Sequence, residues 1–375
     1  MNSQPIEHGG NIYRLAEELK IQERKVIDFS ICVNPLRVSK KIKAEIRKHL
    51  KYLHNYPDPD TKRLRKRLAQ YHGIDMETIL CGNGSTELIY LITRMLKPQR
   101  VLIPAPTFSE YERAISIAGR KEQSAQIEYL LIKAEHGFKI NPDEWIAVLQ
   151  RGVNSTLSFD MIFLCNPNNP TGMLVKKDAV LKIADAAREM KCYLIVDEAS
   201  IDFCTDESVI KEVEYNPYLV VLRSMSSFYA LPGLRLGYGV FPKHLIARLK
   251  EYREPWSVNN LSQRAAVIAL KDKVFRKETV KIITEEKKFL EKSFKKLGID
   301  FFNTDAHFYL VKMNNAQEIC QQLKTKGILV MHCADFYGLD SSYIRIAVKS
   351  HRENAILIKA LTSMLCNYPA SQEIS

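Results

Sequence analysis

The chain has no cysteine pair at C-x-x-C spacing, no apolar run long enough for a membrane span, no internal repeat and no low-complexity linker. Its eight cysteines, Cys32, Cys81, Cys165, Cys192, Cys204, Cys320, Cys333 and Cys366, are scattered. Neither a zinc site nor a disulfide framework is indicated, and reduced thiols lying mostly in the core are expected. A spanning helix needs roughly 20 apolar residues, and the opening "MNSQPIEHGGNIYRL" has no apolar centre of the kind a secretory signal carries. These absences predict a soluble, cytoplasmic protein without membrane contact.

What is present is a 375-residue chain with a hydrophobic fraction of 46%, enough for one large domain and a smaller one. The formal net charge is +12. It gathers in segments such as "KKIKAEIRKHLKYL", "TKRLRKRLAQYH" and "EEKKFLEKSFKKL", where apolar residues recur at helical spacing and the charges fill the other face. Solvated helix faces explain this, with a field that draws in anionic small molecules as the alternative. No zinc-ligand pairs or aromatic RNA-binding strand accompany the charge, so no nucleic-acid partner is expected.

From about residue 75 to 245, short apolar runs alternate with longer amphipathic segments: "TILCG", "RVLIPA", "DMIFLCN", "CYLIVDE", "YLVVLRS" and "RLGYGVF". This predicts an α/β fold with a mostly parallel sheet covered by helices. After "PWSVNN" come long charged helices and the short strands "HFYLVKM", "GILVMH" and "YIRIAV". They read as a smaller α+β domain, which the first forty or so residues would join. Ligands of open α/β sheets sit beyond the carboxyl ends of the strands, so the residues following each run are the candidates for chemistry.

"CGNGSTELIYLITRML" sets Gly82, Gly84, Ser85 and Thr86 between a strand and a helix. Such a turn offers free N–H groups and the positive end of the helix dipole to a phosphate, although an ordinary strand-to-helix turn would look the same. "FLCNPNNPTG" ends a strand in a proline-stiffened loop able to aim Asn169 at a ligand. "YLIVDEASIDF" puts Asp197 directly after four apolar residues, where it would pair with a protonated ring nitrogen or cap the next turn. "SMSSFYALPGLRLGYG" joins Ser224, Ser226 and Arg235 in one loop, a charge-assisted phosphate cradle.

Together with "HGGNIYRLAEEL", "DFSICVNPL", "NYPDPD", "PTFSEYERA" and "GLDSSYIRIAV", these motifs span nearly the whole chain. The sequence resembles the fold-type I pyridoxal-phosphate enzymes, and within them the threonine-phosphate decarboxylases of cobalamin biosynthesis and the related histidinol-phosphate aminotransferases. The resemblance implies a large cofactor-binding domain at 41–255, a small domain at 256–375, and an arm at 1–40 that contributes to the small domain. It implies that Gly84, Ser85, Thr86, Ser224, Ser226 and Arg235 hold the cofactor phosphate, with Phe108 also contacting the cofactor. Asp197 would pair with the pyridine nitrogen and Asn169 with the ring hydroxyl. The family's homodimeric habit would bring Tyr56 to the phosphate in the neighbouring subunit. Arg345 would clamp the substrate carboxylate, while His8, Gly9 and Asn34 would face the substrate, a small amino acid or phosphoamino acid, with His8 near its phosphate.

Two departures bear on activity. Ser227 stands where the family has the lysine that attaches the cofactor and shuttles a proton at the substrate's α carbon. Lys211 lies before the preceding strand and Lys243 after the following one, so neither is an obvious substitute. Met331 stands where the decarboxylases carry an arginine for the substrate phosphate, and His332 would point to the other side of that strand. Ser200 and His307 also differ from larger or amide-bearing residues in relatives. The expectation is a lyase or aminotransferase homologue with non-covalent cofactor and weakened or altered decarboxylation. The alternatives are a catalytically silent cofactor-binding relative or partner subunit, and a lysine-independent enzyme using His8 or His307 as base.

Overall fold

The computed structural model describes residues 9–119, 125–151 and 158–366. Among the described residues, thirteen strands form three sheets. The central one has seven strands: β2 (Ile79–Gly82), β3 (Arg100–Ala105), β4 (Gln126–Leu131), β5 (Met161–Cys165), β6 (Tyr193–Asp197), β7 (Leu219–Ser224) and β8 (Gly237–Val240). Their order is β2-β8-β7-β6-β5-β3-β4, parallel except for β8, which runs antiparallel to both its neighbours. All six expected apolar runs form strands here, because continuous Val, Ile and Leu suit strands buried on both faces. The seventh, β4, escapes that pattern: it lies at the edge, and Gln126 and Glu128 break its apolar run.

Helices cover both faces of this sheet. Helix Ser85–Leu96 buries Leu88, Ile89, Leu91, Ile92 and Met95, close to the apolar face expected from spacing. On the other face, helix Lys177–Glu189 buries Val180, Ile183, Ala184 and Ala187.

The remaining strands lie outside this sheet. The pair β1 (Ile27–Asp28) and β11 (Ile328–Leu329) is parallel. The four-stranded sheet, in order β12-β13-β10-β9, comprises β9 (Asp300–Phe301), β10 (Phe308–Lys312), β12 (Met331–His332) and β13 (Tyr343–Ala347). The run "GILVMH", expected as one strand, is therefore two: it serves one sheet with Ile328–Leu329 and, after Val330, another with Met331–His332. Helix Lys273–Lys296 packs its buried Ile283, Leu290 and Phe294 into a core shared with Tyr309, Val311, Ile344 and Ile346.

All eight cysteines are free: five are buried, Cys32 and Cys204 are half-buried, and Cys366 is exposed. Among the described residues, no helix is long and apolar enough to cross a membrane.

Candidate active site

The sheet register brings the strand ends to one edge. Gly82 pairs with Gly237, and Gly237 with Ser224; Asp197 pairs with both Leu222 and Cys165. Four stretches distant in sequence, around Gly82, Cys165, Asp197 and residues 222–237, thus end in one row, with the start of helix Ser85–Leu96 directly above it.

The turn before that helix is unusually tight. Gly84 has φ of +80°, and a Cβ there would lie 2.5 Å from Arg235 Nη2, so only glycine lets the guanidinium lie over the turn. A Cβ on Gly237 would fall 2.2 Å from the Ser85 amide nitrogen, so β8 and the helix start are in backbone contact. No side chain caps this helix. Its first N–H groups therefore await an acceptor, and the dipole favours an anion. Arg235 is exposed, with φ of +53°; its backbone N–H and its Nη1 both donate to the Pro232 carbonyl, at 3.3 and 3.5 Å. The half-buried Ser224 accepts from the Ser226 amide at 3.2 Å. Free helix N–H groups, a glycine turn and an exposed guanidinium have together the chemistry that suits an anion.

Asp197 is only 3% exposed. Its Oδ2 accepts from the Tyr111 hydroxyl at 2.8 Å and its Oδ1 from the Ala199 amide at 3.1 Å. Among the described residues no cation pairs with it, and burial pushes its carboxyl up to about 6, against the pull of the Tyr111 hydrogen bond. A buried carboxylate without a cation suits a protonated ring nitrogen. Tyr111, not anticipated from sequence, is itself stacked on Phe163 at 4.6 Å and met edge-on by the half-buried Phe108 at 5.6 Å. The motif "PTFSEYERA" contained both aromatics without indicating their arrangement.

The proline-rich loop is locked by its other asparagines. Asn166 bonds both polar groups of Val175, and Asn168 donates to the Pro106 carbonyl at 2.9 Å while accepting from Thr107 Oγ1 at 2.8 Å. Asn169 is left to face outward, where its Oδ1 accepts from Arg345 Nη1. Arg345, on β13 and 5% exposed, also donates from Nη2 to the Ser30 carbonyl at 2.6 Å. Among the described residues its buried Nε has no hydrogen-bond partner. The two residues chosen for ring hydroxyl and substrate carboxylate are thus adjacent, although they come from different sheets.

Asn34 has another occupation. Its Nδ2 donates to the Phe228 carbonyl and to Thr279 Oγ1, both at 2.7 Å, its Oδ1 accepts from the Leu36 amide, and its backbone N–H donates to the Ser227 carbonyl at 3.0 Å. The side chain fastens residues 34–36 to the Ser227 loop and has no donor left for a substrate. Just before it, three successive carbonyls each receive a basic side chain. Ser30 is held by Arg345, Ile31 by Lys349 Nζ at 3.0 Å and Cys32 by His307 Nε2 at 2.9 Å. Gly9 lies beside Ser30, whose Oγ accepts from the Gly10 amide at 2.6 Å. His8 lies outside the described residues.

Ser227 is half-buried in the loop after β7, with its carbonyl accepting from Asn34 and Ala230. Neither distant lysine approaches it: Lys243 pairs at the surface with Asp75 at 2.7 Å, and Lys211 is exposed. His307 is buried, stacked 4.7 Å from Phe203, and pushed down to about 4 by burial, so it is neutral. Tyr56 is 79% exposed, its ring 4.9 Å from Trp256. Beneath the site lies a buried ionic group that the motifs did not reveal: Arg223 donates to Glu198 Oε2 at 3.1 Å and Asp202 Oδ1 at 2.9 Å. The signal was a lone arginine within the apolar run of β7.

A sequence profile of the aminotransferase class I and II family matches residues 24–361. The chain is 35% identical over 362 residues to a threonine-phosphate decarboxylase of Salmonella typhimurium, covering 96% of each sequence. The structure is similar to that of the histidinol-phosphate aminotransferase of Clostridium acetobutylicum, with a TM-score of 0.82 and 28% identity, covering 92% of this chain and 100% of that one. It is also similar to the L-threonine-O-3-phosphate decarboxylase of Porphyromonas gingivalis, with a TM-score of 0.77 and 28% identity, covering 91% and 99%. The chain belongs to the aminotransferase class I and II family of fold-type I enzymes, whose cofactor is pyridoxal phosphate.

Proposed function

We propose that the chain binds pyridoxal phosphate without a covalent bond, takes a small amino acid, and performs decarboxylation of the family type weakly or not at all. Ser227 carries this reading: it is the one substituted position inside an otherwise complete cradle. When bound, the cofactor supplies an electron sink for the substrate's α carbon. The Gly84–Ser85 turn, Thr86, Ser224, Ser226 and Arg235 would hold its phosphate, with Phe108 beside its ring. Asp197, ionised and oriented by Tyr111, would pair with the ring nitrogen. Asn169 would offer Nδ2 to the ring hydroxyl, since its Oδ1 is taken by Arg345. The orphaned Nε of Arg345 marks a guanidinium with capacity for a carboxylate.

Ser227 Oγ can hold a proton in a hydrogen bond, but its basicity is too low to take one from carbon and return it near neutral pH. His307 does not replace the lysine in this reading, because its imidazole is already committed through Nε2 to Cys32 and its basicity is depressed. The same serine supports the second reading, a catalytically silent cofactor-binding subunit. The exposure of Tyr56 supports a homodimer in which it reaches the phosphate held by a second copy.

The test is reconstitution with pyridoxal phosphate, then absorbance, borohydride reduction and intact mass, beside a Ser227→Lys variant. Binding without an adduct in the parent is expected, with the variant gaining both adduct and decarboxylase activity. Cofactor binding in both proteins without activity in the variant would favour the silent subunit. A covalent adduct in the parent would refute the non-covalent reading, and failure of both proteins to bind would refute the cofactor assignment.

A further inference from the structure

The substrate end of the site departs from the relatives more deeply than one side chain shows. Met331 and Leu310 are the direct cross-strand partners of Arg345, one on each side. Directly opposed residues project from the same face of a sheet, so the guanidinium stands between a thioether and an isobutyl group. Met331 is 7% exposed and packs with Leu310, Cys333, Phe336 and Tyr343. The neighbouring His332 opposes Ile344 on the other face and bonds the Ser341 carbonyl at 2.9 Å.

Met331 also lines a cavity of about 230 Å³ with Gly9, Gly10 and Leu329. The exposed charged residues around that cavity are two cations, Arg14 and Lys324, and two carboxylates, Glu18 and Asp335. They balance, and Arg14 pairs with Glu18 at 3.6 Å. Near Arg345, the Lys349 ammonium is held by the Ile31 carbonyl, and the neutral imidazole of His307 by the Cys32 carbonyl. Among the described residues that line this cavity, both cations are exposed, so a phosphate dianion placed against Met331 would meet no buried cation besides the Arg345 guanidinium kept for the carboxylate.

Resting on the cofactor-site reading above, we propose that the amino acid this site accepts carries a short, uncharged side chain that ends against Met331. Side chains the size of threonine or 2-aminobutyrate fit this description. An O-phosphorylated side chain is disfavoured, in contrast to the substrates named for the relatives. The specificity-determining pair is Met331 with Leu310, flanking the carboxylate clamp.

The probes are reduced phosphopyridoxyl conjugates of glycine, L-threonine and O-phospho-L-threonine, titrated calorimetrically into cofactor-free protein. These stable secondary amines need no lysine. The threonine conjugate is expected to bind at least roughly ten-fold tighter than its phosphorylated counterpart, the scale of one missing hydrogen bond to a charged group. Met331→Arg should erase or invert that preference, read as the ratio of the two threonine conjugates' affinities within each protein, each taken relative to the glycine conjugate. Equal or tighter binding of the phosphothreonine conjugate by the parent would overturn the inference alone. So would an unchanged preference in the variant. Failure of all three conjugates to bind would overturn the cofactor-site reading and this inference with it.

Discussion

Replacing Asp197 by asparagine should make the cofactor-free protein more stable while making it a poorer binder. The carboxylate is fully buried, and its two oxygens are served by one hydroxyl and one amide, with no cation. Burial raises its pKa from 3.8 to about 6, so the fold resists the ionised form. The sign follows: this contribution to stability is complete below the unfolded value and is lost as pH rises through the folded one. The window runs from 3.8 to about 6, and above it the charged group costs about 3 kcal/mol. Asparagine carries no such cost. It preserves the Ala199 contact through Oδ1, and the Tyr111 hydroxyl can turn to accept from Nδ2.

Urea denaturation of cofactor-free parent and Asp197→Asn should show the variant ahead by about 3 kcal/mol at pH 8, with the gain about 2 kcal/mol smaller at pH 4.5. Its affinity for pyridoxal phosphate should drop by one to two orders of magnitude, because a charge-assisted hydrogen bond contributes about 1.5–3 kcal/mol. A variant less stable than the parent at pH 8, or a gain independent of pH, would refute the argument that burial strains this carboxylate.

Two further outcomes follow from groups buried near the site. Arg223→Met should destabilise the fold by about 3–5 kcal/mol, because Glu198 and Asp202 would be left as buried charges without a partner. Adding Glu198→Gln and Asp202→Asn should recover most of that loss in the same denaturation assay. His307, held down from 6.5 to about 4, remains neutral in the fold, so its contribution is full above 6.5 and lost as pH falls toward 4. His307→Asn should remove an acid-side loss of about 3 kcal/mol, read as a flatter stability profile between pH 7 and pH 4.

The sequence by itself determined six of the seven strands of the large sheet, the polar residues that end them, and the lack of a lysine in the loop after β7. These are local properties: a short apolar run bounded by turn residues favours a buried strand, and the Gly84–Ser85 turn at a helix start offers its own backbone N–H groups. Tertiary structure alone decided which distant groups meet. It set Arg345 against Asn169, 176 residues away, and Tyr111 against Asp197. It also turned the amide of Asn34 away from substrate to fasten the Ser227 loop, and broke "GILVMH" at Val330 so that Met331 pairs with Arg345. No periodicity encodes such pairings, because register and the competition among buried donors and acceptors are resolved only when the elements pack.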